Sequence, residues 1–197
     1  MEDHIRRFGE FVDSLGLDKI TLVVQDWGGV IGLGWAVQNK DKVARLVIMN
    51  TLGFPIEWDD IKTGKYGYSF LWTLSRLWIY KIPYLEKLLL QDLSAIKMLI
   101  PMGTHHKEKL THEVMRGYKY PYPTPESRRT FRAGPRQLPM TPSHHTFKLL
   151  KSIGHGLKGW VVPTQLIWGM KDPVFSKYFI NKFEDYLPNH EPDPTLS

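Results

Sequence analysis

The distribution of apolar and polar residues along the first 50 residues predicts alternating helices and strands. Ile5, Phe8, Val12 and Leu15 recur at helical spacing, and Gly16 follows at the position of a C-terminal cap. Two apolar β-branched runs predict buried strands, and the small and apolar residues between them predict a helix close to a sheet. The predicted order is helix, strand, helix and strand, over residues 5–15, 20–25, 28–39 and 43–49. This order indicates a right-handed parallel crossover.

The pattern changes after Asn50. Strand patterns stop until Val161, and aromatic residues crowd a stretch that is rich in helix-forming residues. A strand pattern returns at residues 163–168, and a helix pattern follows at residues 175–186. The chain is therefore predicted to be an α/β protein with about three parallel strands and an inserted helical cap. The predicted boundaries are 1–50 and 158–197 for the α/β core and 51–157 for the cap.

Asp26 stands at the junction of the first strand and the second helix. The strand ends in Asp26-Trp27-Gly28-Gly29, and paired glycines let the backbone fold into a sharp turn. A carboxylate at such a corner needs no base to act as a nucleophile toward carbon. The indole N–H of Trp27 can only donate a hydrogen bond, which suits a departing anion. The alternative is that Asp26 merely caps the helix, because aspartate is a favoured N-cap residue.

Three separated motifs resemble the haloalkane dehalogenases of the α/β-hydrolase superfamily. They are Val23-Val24-Gln25-Asp26-Trp27-Gly28-Gly29, Leu46-Val47-Ile48-Met49-Asn50 and Trp168-Gly169-Met170-Lys171-Asp172. The resemblance implies a partial α/β-hydrolase fold with a helical cap. It also implies that Asp26 is the nucleophile, that Trp27 binds the halide and that Asp172 orients the base histidine. Trp72 lies where the family places a halide-binding tryptophan early in the cap.

The resemblance predicts a hydrolase in which Asp26 forms an alkyl ester that water then hydrolyses. Two alternatives remain open. Epoxide hydrolases share the Asp-Trp-Gly-Gly motif, and Tyr68 or Tyr118 would then protonate the epoxide. The other alternative is a truncated, non-catalytic protein that binds apolar ligands or partners through the cap. From local sequence alone, Asp172 is nearly as well explained as the N-cap of the helix over residues 175–186.

Elements that the family has at both ends of the fold are not found in the sequence. The base histidine should follow one more strand after Asp172, and the oxyanion loop should precede the first strand. His190 falls in the approach to that last strand and is not assigned as the base. We therefore expect a chain that is catalytically incomplete. We also expect the strand before Asp26 to lie at an exposed edge of the sheet.

Composition narrows the remaining possibilities. The net charge of +6 comes from scattered basic residues without a recognition motif, so no nucleic-acid partner is expected. The start of the chain is charged rather than a signal peptide, no apolar run is long enough to span a bilayer, and cysteine is absent. These features favour a cytoplasmic protein without a membrane partner. The expected partner is a small apolar halogenated or epoxide substrate, no cofactor is expected, and the oligomeric state is open.

The histidines do not predict a metal site. The pairs His105-His106 and His144-His145 lack the spacing and the acidic neighbours of a ligand set. His155 stands between two glycines before the last strand, which favours a loop residue over a catalytic one. No metal ligand is therefore predicted.

Overall fold

The structure is a computed structural model that describes residues 1–57, 84, 87–88, 95–139, 141–172, 174–188 and 190–191. Its strands are β1 (Ile20–Asp26), β2 (Val43–Thr51), β3 (Thr164–Ile167) and β4 (His190–Glu191). Its α-helices are α1 (Glu2–Ser14), α2 (Trp27–Ala36), α3 (Ala95–Gly103), α4 (His112–Lys119), α5 (Thr130–Ala133), α6 (His145–Lys158) and α7 (Lys177–Tyr186). Short 3-10 helices occupy Lys40–Lys42, Lys107–Lys109, Ser127–Arg129 and Pro135–Gln137.

The strands form one parallel sheet in the order β1-β2-β3-β4. Val24, Ile48 and Leu166 lie side by side on the first three strands, and all three are buried. A shift of one residue would move these side chains to the opposite face, so their burial fixes the register. The predicted parallel sheet of three strands is confirmed. β4 adds a fourth strand, which the hydrophobic pattern did not predict because it contains only two residues.

β1 lies at the edge of the sheet within the described part of the chain. The side chain of Val23 is 59% exposed, and Thr21 and Gln25 on the same face of the strand are exposed as well. The strand order thus confirms the expected edge position of β1 within the described residues, and the exposed side chains show that one face of the strand is uncovered there. An open edge of a parallel sheet leaves backbone hydrogen-bonding groups available for a further strand.

α2 is buried because its small residues let it lie close to its neighbours. A Cβ atom added at Gly32 would come within 2.5 Å of the Val24 side chain. One added at Gly34 would come within 2.5 Å of Ile5 in α1. Trp35 on the same helix is only 4% exposed. The helix that follows Asp26 is thus held firmly against β1 and α1.

α6 and α7 complete the packing around the sheet. A Cβ atom at Gly156 of α6 would come within 2.7 Å of Val37, and one at Gly154 would come within 2.9 Å of Tyr186 in α7. The two glycines therefore serve close helix packing and not a turn. His155 between them is exposed on α6, so the prediction that it lies in a loop is wrong. The most deeply buried core side chains include Leu33, Ile48, Leu150, Ile153, Leu166 and Phe183.

The chain divides into two compact units, Met1–Phe70 with Pro139–Ser197, and Leu71–Leu138. The first unit contains the sheet, α1, α2, α6 and α7, and the second contains α3, α4 and α5. The predicted cap over 51–157 includes α6, whereas the structure places α6 in the sheet unit, where Leu157 is fully buried. In the described residues between β2 and β3 there are helices and no strand. None of the helices in the described ranges combines the length and apolar character needed to cross a membrane.

Candidate active site

Asp26 occupies a strained turn between β1 and α2. Its backbone has φ 48° and ψ −131°, in a region that residues other than glycine rarely adopt. Among the described non-glycine residues, Lys19 is the only other one with a positive φ. Such strain costs about 1–3 kcal/mol and persists only where the surrounding structure enforces it. Asp26 precedes α2, but its side chain does not make the capping hydrogen bond that the N-cap interpretation requires.

Thr51 at the end of β2 holds this turn in place. Its hydroxyl donates a hydrogen bond of 2.5 Å to the backbone carbonyl of Asp26, and its side chain is completely buried. A Cβ atom at Gly29 would lie 1.8 Å from the Thr51 hydroxyl oxygen, so only glycine fits there. The second glycine of the motif therefore exists because the start of α2 approaches Thr51. By contrast, a Cβ atom at Gly28 would meet nothing within 4 Å.

Asp172 lies in the turn after β3, and its two carboxylate oxygens are held from different sides. Oδ1 accepts hydrogen bonds from the backbone N–H groups of Val174 at 2.7 Å and Phe175 at 3.0 Å. Oδ2 accepts a hydrogen bond of 3.0 Å from the side-chain amide of Asn50. α7 begins only at Lys177, and its N-cap residue is Ser176. The carboxylate thus stabilises the loop before the helix and is not the N-cap of the helix itself.

The sheet brings the two acids to one edge. Asp26 ends β1 opposite Thr51 of β2, and β3 ends shortly before Asp172. The strands are parallel, so their carboxyl ends meet at the same edge, where open α/β sheets place their binding sites. The negative charge of Asp172 also raises the pKa of the Asp26 carboxyl group. Both predicted catalytic acids therefore lie in one electrostatic environment.

Partial loss of hydration and nearby charge both act on the Asp26 carboxyl group. Its pKa is raised from the ordinary value of 3.8, mainly because the surrounding protein removes part of the hydration of the carboxylate. The backbone N–H of Trp27 acts in the opposite direction, and the charge of Asp172 raises the pKa further. Although the side chain remains exposed by surface area, the protein atoms around it are close enough to weaken its hydration. The ionised form of Asp26 is thus less stable than that of an ordinary aspartate.

An Asp172→Asn substitution is expected to lower the pKa of Asp26. The substitution removes the negative charge that opposes ionisation, but the loss of hydration remains, so the pKa should stay above 3.8. A carboxyl ¹³C NMR titration of Asp26 in both proteins measures the change. Asp41→Asn is the matched control. Asp41 lies in the 3-10 helix just before the first residue of β2, whereas Asp26 lies opposite the last residue of that strand. An unchanged or raised Asp26 pKa in the Asp172→Asn protein would contradict this assignment of the charge.

The other predicted residues have different outcomes. Trp27 is the first residue of α2 and is half-buried beside Asp26. Trp72 and Tyr68 lie outside the described residues. Tyr118 is on α4 in the other unit, where its side chain is 49% exposed. The described part of the chain contains no group of three potential metal ligands.

Asn50 is a site residue to which sequence reasoning assigned no role. It is 9% exposed at the end of β2, and its amide group contacts both Gly169 and Asp172. The available signal was a polar residue directly after the apolar run Leu46-Val47-Ile48-Met49, at the carboxyl end of a predicted strand. A buried amide in that position requires hydrogen-bond partners, and the loop after the neighbouring strand supplies them.

Comparison with known proteins identifies the fold family. The sequence model of the alpha/beta hydrolase fold family matches residues 1–192. The chain belongs to this family. The α/β-hydrolase fold that was predicted from three motifs is therefore confirmed.

Individual relatives of this α/β-hydrolase chain include haloalkane dehalogenases. The chain is 31% identical over 191 residues to haloalkane dehalogenase 2 of Mycobacterium tuberculosis, covering 96% of this chain and 61% of the relative. It is 27% identical over 191 residues to the cis-3-alkyl-4-alkyloxetan-2-one decarboxylase of Shewanella oneidensis, covering 96% of this chain and 57% of the relative. The chain thus spans about three-fifths of the length of these relatives.

A solved structure shows the same similarity to haloalkane dehalogenases. The crystal structure of the haloalkane dehalogenase DatA from Agrobacterium tumefaciens C58 matches with a TM-score of 0.78 and 25% sequence identity. The match covers 98% of this chain and 63% of that protein. The predicted resemblance to haloalkane dehalogenases is confirmed in both sequence and structure.

Proposed function

We propose that this chain carries the nucleophile and the supporting acid of a hydrolase of the haloalkane dehalogenase type. The observation that carries the proposal is the position of Asp26, a carboxylate on a strained turn at the carboxyl edge of the sheet. A strand, a strained corner and a buried helix are the geometry of a nucleophile elbow. The effect of the Asp172 charge on the pKa of Asp26 further supports the assignment of these two acids to one site. The similarity to haloalkane dehalogenases supports the choice of substrate class.

The first step is an attack on carbon. A carboxylate oxygen of Asp26 bonds to the carbon that bears the halogen, and the carbon–halogen bond breaks with its electron pair leaving on the halide. The product is an alkyl ester of Asp26. In this proposal the indole N–H of Trp27 donates a hydrogen bond to the departing halide. Partial loss of hydration favours the attack, since fewer water molecules must leave the carboxylate first.

The second step is hydrolysis of the ester. An imidazole removes a proton from water, and the resulting hydroxide attacks the ester carbonyl carbon. The tetrahedral intermediate expels the alkoxide, which takes the proton from the imidazolium and leaves as the alcohol. Asp26 is left as a carboxylic acid, and loss of its proton to solvent restores the carboxylate. Asp172 would stabilise the imidazolium. The hydrogen bonds of Asp172 within the described residues come from Asn50, Val174 and Phe175, and none of them comes from a histidine. We therefore propose that the ester on Asp26 is hydrolysed about 10²–10⁴-fold more slowly than it would be with a positioned base.

The remaining parts of the proposal concern the substrate pocket. Residues 51–157 would supply most of a helical cap, and Trp72 would be a second halide-binding residue. The helices α3, α4 and α5 are consistent with a helical composition of this range. The substrate would be a small apolar haloalkane.

Alkylation by 1-bromobutane tests the proposal. The folded chain is expected to gain the mass of one butyl group, and peptide mapping should locate the ester at Asp26. The adduct should persist, because no histidine among the described residues is hydrogen-bonded to Asp172. Intact-mass spectrometry over time measures both steps, with 1-butanol as the control compound because hydroxide is a very poor leaving group. If the folded chain stays unmodified, or if other carboxylates are alkylated equally, Asp26 is not an activated nucleophile.

Decarboxylation of a β-lactone is a second candidate function, favoured by the similarity to the decarboxylase of Shewanella oneidensis over 96% of this chain. Asp26 would attack the ring carbon C4, and the C4–oxygen bond would break to release a carboxylate. The electrons of the carbon–carboxylate bond would then form an alkene, with loss of CO₂ and departure of the Asp26 carboxylate. Incubation with a cis-3,4-dialkyloxetan-2-one separates the two functions. Release of alkene and CO₂ without alkylation by bromobutane would favour this candidate.

A further inference from the structure

Asn50 is a buried amide that joins the ends of two strands. It is 9% exposed and lies next to Thr51, the residue that holds the carbonyl of Asp26. The pairing of β1 with β2 shifts at this point, because Gln25 pairs with Met49 whereas Asp26 pairs with Thr51. Asn50 is therefore the extra residue of an irregularity in the strand pairing. Such irregularities redirect a side chain next to a functional site.

The redirected amide group makes three hydrogen bonds across to the loop after β3. Its carbonyl oxygen accepts a hydrogen bond of 2.7 Å from the backbone N–H of Gly169. Its NH₂ group donates to the carbonyl of Gly169 at 3.1 Å and to Oδ2 of Asp172 at 3.0 Å. An amide is the side-chain group that both accepts and donates in this way, so neither an apolar residue nor a carboxylate reproduces the arrangement. Asn50 thereby fixes the turn and the carboxylate together.

We propose that Asn50 is a positioning residue that orients Asp172 toward the base of the ester hydrolysis. The inference rests on the proposed function, because it concerns the second step at Asp26. The backbone N–H groups of Val174 and Phe175 hold Oδ1, and the single donor from Asn50 sets the rotation of Oδ2. With these three hydrogen bonds from the described residues, the carboxylate keeps a lone-pair direction on Oδ2 for an imidazole N–H in this proposal. Without Asn50, Asp172 would remain in the loop but would rotate about its side-chain bonds.

Imidazole added from solution provides a test on the full chain. Asp26 is first alkylated with 1-bromobutane, and excess reagent is removed. Release of the butyl group is then followed by intact-mass spectrometry over a range of imidazole concentrations and pH. Because the rate is measured on chains that already carry the ester, the yield of the first step does not enter. The chain is expected to release the group faster with imidazole, with a pH midpoint above that of free imidazole, since a neighbouring carboxylate stabilises the imidazolium.

Asn50→Ala is expected to slow the imidazole-dependent release by about 10-fold, the value of one hydrogen bond to a charged group. It should also move the pH midpoint toward that of free imidazole. Asp172→Asn should cause a larger loss. The double variant should equal Asp172→Asn alone, because Asn50 acts through Asp172. Thr164→Val is the matched control: it removes buried hydrogen bonds at the start of β3, away from the site, and should leave the imidazole-dependent rate unchanged.

Each contrary result has a definite meaning. If Asn50→Ala keeps the rate and midpoint of the unsubstituted chain, the inference is overturned. It is also overturned if the double variant is slower than Asp172→Asn by the same factor as the single Asn50→Ala change, or if Thr164→Val slows release equally, since both results indicate a general structural role. An alkylated chain that does not respond to imidazole overturns the orientation of Asp172 as well. Failure to form the ester at all instead overturns the proposed function, on which the inference rests.

Discussion

An Asp26→Asn variant is expected to form no detectable butyl adduct under conditions that alkylate the unsubstituted chain. The amide oxygen of asparagine carries no full negative charge, so it attacks carbon far more slowly than a carboxylate does. We expect the alkylation rate to fall by more than about 10³-fold, in the range that follows removal of a catalytic nucleophile. Intact-mass spectrometry after incubation with 1-bromobutane measures the loss.

Asp41→Asn serves as the matched control for this experiment. Asp41 is an exposed aspartate before the start of β2, so the substitution changes the net charge by the same amount at the other end of the strand. Its adduct should form at the unsubstituted rate. An adduct of equal yield on the Asp26→Asn protein would place the reactive group elsewhere and would remove the basis of the proposed function.

The Asp26→Asn substitution should also stabilise the fold at neutral pH. The pKa of Asp26 is raised in the folded chain, so the folded state binds the proton more tightly than the unfolded state does. Stability is therefore lost as the pH rises from about the ordinary value of 3.8 through the folded-state pKa. The stability difference between Asp26→Asn and the unsubstituted chain should be smallest in acid and should increase across this window. A carboxyl group whose ionisation costs the fold stability is typical of a functional site.

The fold could be predicted from the sequence where elements are long and strongly patterned. β1, β2 and β3 follow apolar runs, and α1 follows a clear helical period, so each was found within a few residues of its observed bounds. β4 was not predicted, because a strand of two residues is too short to show a hydrophobic pattern. His155 was predicted to lie in a loop because Gly154 and Gly156 resemble breaks in a helix, whereas these glycines allow contact with Tyr186 and Val37. A contact between distant segments cannot be read from local sequence.

The sequence predicts the site only where the carboxyl ends of the strands determine which residues lie close together. Asp26 and Asp172 each follow an apolar strand, and parallel strands bring their carboxyl ends together, so their shared edge follows from topology. The roles of Asn50 and Thr51 depend on a one-residue irregularity between β1 and β2. That irregularity turns Asn50 toward Asp172 and Thr51 toward Asp26. No spacing rule in the sequence indicates where a strand pairing will shift.

A Gly29→Ala variant should test how strongly this packing enforces the strained turn. Its Cβ atom would lie 1.8 Å from Oγ1 of Thr51 and 2.6 Å from the Thr51 Cβ and Cγ2 atoms. Thr51 is completely buried and cannot swing away without releasing the Asp26 carbonyl. Overpacking and the lost hydrogen bond together should lower the free energy of unfolding by about 3 kcal/mol. Urea unfolding of both proteins measures the difference.

Gly28→Ala is the matched control, because the same substitution one residue earlier meets open space. It should leave the stability unchanged or raise it by up to about 1 kcal/mol, since alanine favours a helix over glycine. Thr51→Ala then separates the two parts of the effect: it loses the hydrogen bond to Asp26 but removes the closest clash. The Gly29→Ala/Thr51→Ala protein should therefore be more stable than the sum of the single changes implies. Equal stabilities for Gly29→Ala and Gly28→Ala would mean that the strain at Asp26 is not maintained by the contact between α2 and Thr51.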